Sequence, residues 1–329
     1  MLLADPPRPR PLAALRHPKV RLAIVLAAAL VAIVVFLTAG SPAPLSLVLP
    51  LRLPKVAALV LVAVAIAVST VLFQTVVGNR ILTPSLMGFD SLYVLIQSGT
   101  VFFFGASALH LAQAQVKWAL EVAVMVLAVT ALYRWLFFGR RRDLHLLVLV
   151  GIVLGTLFRS LSSFLQRMLD PTAFATLQDE LFASFNVVDT SLLGISAVAI
   201  AGCFAALARI RRTFDVLALG QDIAIGLGID HRRVVMRILV VVAVLTAVST
   251  ALVGPVAFFG LLVANLAYLL VGDRHALSVP TAAGLAVVAL VGGQFLLERV
   301  FAFGTGLSII IEFLGGIVFI ALLISRGAR

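Results

Sequence analysis

Long apolar runs separated by short polar breaks dominate the chain. Runs of roughly 18 or more largely apolar residues occupy 22–39, 56–77, 117–138, 144–165, 191–208, 234–253, 279–297 and 307–324. Two less uniform stretches lie at 86–108 and 258–271. A helix needs about 20 residues at ~1.5 Å rise each to cross ~30 Å of hydrocarbon. The pattern predicts an all-α integral membrane protein of about ten transmembrane helices, in which the short span 258–271 leans on its neighbours. One membrane domain at 22–325 is then flanked by tails at 1–21 and 326–329. The first run follows a basic tail and precedes Thr38-Ala39-Gly40-Ser41, so it also fits a cleavable signal peptide. Its length favours an uncleaved span.

One polar break stands apart. Arg212–Arg233 is too polar to cross a bilayer and too apolar to be plain linker, and Arg209, Arg211, Arg212, Arg232, Arg233 and Arg237 flank it. It reads as a short docking element for a partner, or alternatively as an amphipathic helix lying on the membrane surface. Three other places break the helical pattern: Gly78–Ser85, a turn at Gly254–Phe258 expected on the outer side, and Phe303–Gly306, also outside. Irregular backbone near membrane depth persists where protein or a watery cavity satisfies its polar groups. These turns are candidate pathway linings, or ordinary loops. Ala67-Val68-Ser69-Thr70 recurs at Ala247-Val248-Ser249-Thr250, in spans predicted to run in opposite directions. That is the pattern of an inverted repeat.

Composition agrees with the membrane reading: 62% of residues are hydrophobic and 12% charged, against roughly 45–50% and 25% in soluble chains. The net charge of +11 could point to nucleic acid, but its distribution follows topology. Arg8, Arg10, Arg16, Lys19 and Arg21 precede the first span, and further basic residues sit at Arg80, Arg140–Arg142, Arg274, Arg326 and Arg329. These are alternate loops, so both termini are expected on the cytoplasmic side. Cys203, the single cysteine, is placed mid-span as a small packing residue, which leaves no intramolecular disulfide or cysteine metal cluster.

Catalytic patterns are missing from the sequence. None of the three lysines (Lys19, Lys55, Lys117) completes a phosphate-cradling GxxxxGK[ST] loop, and the histidines show no i, i+4 pair. The chain reads as a transport subunit rather than an enzyme, with no cofactor or metal of its own. If ATP drives it, another chain binds the ATP.

Three ordered blocks carry a family resemblance. Leu51–Lys55, Gln74 and Asn79–Gly88 form the first, Leu217–Ala224 the second, and Gly254–Leu261 followed by Asp273-Arg274-His275 the third. Together they resemble FecCD-type permeases of ATP-binding-cassette importers, which take up ferric siderophores, haem and vitamin B12. Thr83–Tyr93 and Asp179–Asn186 resemble the iron–siderophore branch. The chain departs from the family at Asn79-Arg80-Ile81-Leu82, which lacks a proline, at Val263-Ala264-Asn265, and at Gln221-Asp222, where Glu is common.

The resemblance implies a type II importer permease fold with helices 2–5 and 7–10 as the inverted repeat, in a bacterial cytoplasmic membrane. It implies ATPase subunits, a second permease subunit (a heterodimer more readily than a homodimer), an external binding protein, and a ferric siderophore as cargo. Vitamin B12 or haem import is the alternative cargo, and a stand-alone secondary transporter the alternative class. The coupling segment, 213–233, would contact the ATPase through Asp215, Leu217, Leu219, Gly220, Gln221, Asp222 and Ile223. Arg52, Lys55 and Arg299, on the outer side against the charge trend, would dock the binding protein; the plainer reading is that they snorkel. The inner gate and pathway would involve Asn79, Ile81, Thr83, Asp143 and Gln97, with Arg142 and His145 nearby. Arg159 and Glu312 are further polar residues within spans, read as snorkelling groups or an ion pair.

Overall fold

The computed structural model describes residues 17–39, 44–105, 113–138, 144–181, 185, 189–299, 311, 313 and 315–317. Its regular elements are all helical. Helix α1 (Pro18–Thr38) opens on a proline, which a first turn tolerates because that N–H has no partner there. Helix α2 (Leu45–Val77) runs 33 residues and starts well before the predicted span. Pro50 and Pro54 lie inside it and argue locally against a helix. Packing along α1 and the last long helix overrides them. At ~50 Å α2 outruns the hydrocarbon. It ends at Gly78, whose φ of 67° supplies the left-handed residue that closes a helix.

After a 3-10 turn at Ser85–Met87, α3 (Phe89–Phe104) covers only 16 residues, fewer than predicted, because glycines with positive φ bound it: Gly88 at 96° and Gly105 at 81°. Helices α4 (Ala114–Phe138), α5 (Leu144–Arg167) and α7 (Thr190–Ile210) match predicted spans, while α6 (Pro171–Leu181) was not predicted. It is 11 residues long, too short for a span count to notice. Asp170 starts it by accepting from the N–H groups of Thr172 and Ala173. Two short helices follow, α8 (Phe214–Leu217) and α9 (Gln221–Gly226), then α10 (His231–Val253), α11 (Phe259–Val271) and α12 (His275–Arg299).

Among the described residues, seven helices are long and apolar enough to cross a membrane, and α3 and α11 are shorter apolar helices. Nine of the ten predicted spans thus coincide with helices; most of the tenth, 307–324, and Glu312 lie outside the described residues.

Helices α2 and α10 are the most buried and pack on each other. Val68, Leu72 and Phe73 join Met125, Val242 and Leu245 in one core. Leu59, Val62 and Val71 join Phe259, Val263 and Leu290 in a second. Helix α2 is shared by both, its two faces serving one core each.

The matched tetrapeptides sit on these two central helices and are buried in both. Ser69 donates to the Ile66 carbonyl at 3.0 Å and Ser249 to the Thr246 carbonyl at 3.0 Å. Each long helix ends at a positive-φ glycine (Gly78, Gly254). Each is followed by a short helix and then by a helix of 25 residues, α4 or α12. Helix α10 starts where α2 ends, so the copies are inverted.

The turn at Gly254–Phe258 differs from its expected outer position. Gly260 packs on Ile66 and Thr70, part-way along α2, so α11 begins inside the bundle. Phe258 there has φ 58°, the one non-glycine residue with positive φ among those described.

Candidate functional site

Two ends of the bundle collect the polar residues. Lys55 of α2 meets Glu298 of α12 at 2.7 Å at the far end. Thr75 of α2 meets His275 of α12 at 2.7 Å at the other, here called the coupling end because α8 and α9 lie there.

The coupling segment is two helical turns hinged at Gly220, whose φ of 103° a side chain would resist. Phe214, Leu217 and Ala224 are buried and seat the segment on the bundle. Leu219, Ile223, Ile225 and Leu227 are 57%, 51%, 50% and 62% exposed, so apolar side chains surround the exposed Asp222. These exposed apolar side chains form one patch around Asp222. Of the predicted contact residues, Leu219, Gly220, Asp222 and Ile223 face outward and Gln221 is half-buried. Leu217 instead belongs to the core.

Asp215 turns toward the bundle. Its Oδ1 accepts from the His275 N–H at 2.9 Å and meets His275 Nδ1 at 2.7 Å. His275 Nε2 reaches the Thr75 hydroxyl, which donates to the Val71 carbonyl at 2.8 Å. The carboxylate thereby serves the first turn of α12, where backbone N–H groups lack helical partners and favour negative charge.

The predicted gate loop is fastened beside this chain of contacts. Asn79 Oδ1 accepts from the Ile81 N–H at 2.9 Å, a side-chain-closed turn. Ile81 is exposed, and Thr83 is buried with its hydroxyl accepting from the Leu86 N–H at 3.4 Å. Between them, the Arg80 carbonyl accepts from Gln74 Nε2 at 2.7 Å and Asn265 Nδ2 at 3.1 Å. The Arg80 guanidinium pairs with Asp273 at 2.6 Å and lies 4.9 Å from the Tyr268 ring centre. A 170 Å³ cavity opens here, lined by Gln74, Thr75, Arg80, Tyr268, Asp273 and His275 among others. Asn265 stood out in the sequence as a departure from the family pattern; its amide clamps this loop at the Arg80 carbonyl.

Gln97 is not brought to this loop. It is buried in α3 and donates to Glu121 Oε1 at 2.8 Å. Lys117 lies 3.9 Å from Glu121 and 2.5 Å from Glu180 of α6, so Gln97 belongs to a charged cluster joining α3, α4 and α6. Arg142 and Asp143 lie outside the described residues, as does the His145 side chain. A polar stripe that the sequence reading passed over runs along α5, where Thr156, Ser160, Ser163 and Arg167 are exposed at helical spacing with Arg159 beside them. Its i, i+4, i+7, i+11 pattern was legible in the sequence.

Arg52, Lys55 and Arg299 do share one patch at the far end, and each has an internal partner. Arg52 donates to the carbonyls of Phe36, Leu37 and Ala39 at 2.8, 3.3 and 3.0 Å. Arg299 donates to the Ala39 carbonyl at 3.2 Å. The two guanidinium groups close the C-terminus of α1, where carbonyls lack helical partners.

Residues 20–325 match the FecCD transport family. The chain is 47% identical over 259 residues to the petrobactin import system permease protein YclO of Bacillus subtilis, covering 78% of this chain and 82% of that one. It is 39% identical over 262 residues to the petrobactin import system permease protein FatC of Bacillus anthracis, covering 79% and 74%. The ferric enterobactin transport system permease protein FepD of Escherichia coli is 29% identical over 256 residues, covering 76% and 74%. Among solved structures, an inward-facing metal-chelate type ABC transporter superposes with a TM-score of 0.81 at 19% identity, covering 93% of this chain and 99% of the other.

Proposed function

The chain belongs to the FecCD transport family, and from that premise we propose that it is the membrane permease of an ATP-driven importer of a ferric siderophore. The observation that carries the reading is the coupling segment: an exposed apolar patch around Asp222 on a core-anchored pair of turns. A cytosolic ATPase fits that patch. The sequence holds no phosphate-binding loop of its own, so the energy comes from the partner. Closure of the ATPase on nucleotide then shifts the segment as a body and drives alternating access.

On this reading the coupling end and both termini face the cytoplasm, in keeping with the alternation of basic loops. The exposed polar stripe of α5 faces a second permease subunit or the water-filled path between the two, because a polar face is costly against lipid. A partner of different sequence, giving a heterodimer, is the form proposed. Cargo of the siderophore class is supported by the 47% likeness to a petrobactin permease. The Arg52, Lys55 and Arg299 patch is the proposed seat of the external binding protein. Its charges are partly neutralised from within, so it steers encounter more than it holds.

Asp222→Arg tests the coupling assignment. Insertion in the membrane is expected to be normal, while co-purification of the ATPase and ferric petrobactin uptake are lost. Normal uptake by that variant would sink the assignment.

A further inference from the structure

A closed ring of contacts surrounds the cavity at the coupling end. On one side, Asp215 holds both the N–H and the ring of His275, and His275 holds Thr75 in the last turn of α2. On the other, Gln74 in the same turn holds the Arg80 carbonyl, and the Arg80 guanidinium returns to Asp273, two residues before His275. The coupling segment, the end of α2, the gate loop and the turn between α11 and α12 therefore meet at one place.

We propose that this ring, centred on the Asp273–His275 turn, transmits movement of the coupling segment to the gate loop. The inference rests on the importer reading above. Covalently, the segment continues only into α7 and α10, and neither carries the gate loop. Asp215 supplies a grip on α12 instead, and it grips backbone as well as side chain. His275 is buried and packs 5.9 Å from the Phe214 ring of the segment itself, so it moves with the segment. The Arg80–Asp273 pair is largely solvent-exposed and contributes little stiffness by itself. The firm hold on the loop comes from the Gln74 and Asn265 amides on the Arg80 carbonyl. Gln74 keeps its Oε1 buried with no hydrogen-bond partner among the described residues. A half-satisfied amide is where a second arrangement of the ring can form, which a switching element needs.

Thr75 is the informative position, since it lies outside the proposed ATPase surface and holds His275 from the end of α2. Thr75→Val removes the hydroxyl that His275 binds while keeping the side-chain shape, and Thr75→Ser keeps the hydroxyl. The permease is assembled with its ATPase and partner permease in liposomes, and ATP hydrolysis and ferric petrobactin uptake are measured together. Thr75→Val is expected to assemble and to hydrolyse ATP, with uptake per ATP reduced about fivefold or more, the span of ordinary coupling between sites. Thr75→Ser is expected to restore the ratio. Wild-type uptake per ATP in Thr75→Val would overturn the proposal, as would loss of assembly, because the contact would then be structural. A wild-type chain that fails to assemble with an ATPase or to move ferric petrobactin would overturn the importer reading instead.

Discussion

Gly88 shows how much a single position decides. With φ at 96° it starts α3 in a conformation that costs other residues about 1–2 kcal/mol. A Cβ there would stand 2.8 Å from the Gly155 Cα of α5. Gly151 and Gly155 form a small-residue pair of the kind that lets membrane helices approach closely, and Met87 fills the space over Gly151. Gly88→Ala is expected to destabilise the protein by about 2 kcal/mol or more, adding strain to overpacking. Heating the detergent-solubilised variant and following its monodisperse fraction by size exclusion checks this. The sequence placed this glycine in a family block at the start of a predicted span; its positive φ and the Gly155 backbone opposite it, from a helix two elements later, were not legible there. Asp215 teaches the same lesson. Its place in a polar segment was readable, but its inward hold on His275, sixty residues away in sequence, was not.

At the scale of elements, the charged cluster at Gln97, Lys117, Glu121 and Glu180 explains why the short helix α6 stays docked. Lys117 is the cation between two carboxylates, joining α4 to α6. Lys117→Met leaves the buried Glu121 without its counter-charge and is expected to cost about 3 kcal/mol or more. The double variant Lys117→Met/Glu121→Gln is expected to recover part of that loss, read as a coupling term in a double-mutant cycle of thermal stability. Long helices were legible because unbroken apolar runs of ~20 residues have one reading in a bilayer. Helix α6 was missed because span counting ignores an 11-residue amphipathic piece. The early start of α2 was missed because Pro50 and Pro54 are local breakers, overruled by packing with distant helices.

For the molecule as a whole, charge serves structure, and on the reading proposed above it serves recognition too. Arg52 and Arg299 close α1, and Lys55 pairs with Glu298, yet the three form one basic patch at the far end. Association with an acidic binding protein is expected to slow as ionic strength rises, because exposed charges are screened beyond ~10 Å at 0.1 M salt. Surface-immobilised permease in nanodiscs reads that rate, and reversal of all three residues to Glu is expected to slow association and invert its salt dependence. An unchanged salt dependence in the triple variant would remove the patch from the docking surface.

The sequence by itself determined the membrane class, the rough limits of nine of the described helices and the family. Each of those follows from local composition or short ordered blocks, which need no knowledge of neighbours. Tertiary structure alone decided that Arg80 is clamped by Gln74 and Asn265, that Leu217 is core and Leu219 surface, and that α11 begins inside the bundle. Those outcomes depend on which helices lie side by side. That order pairs residues two hundred positions apart or more, as Thr75 with His275 and Lys55 with Glu298, and no periodicity along the chain encodes such a pairing.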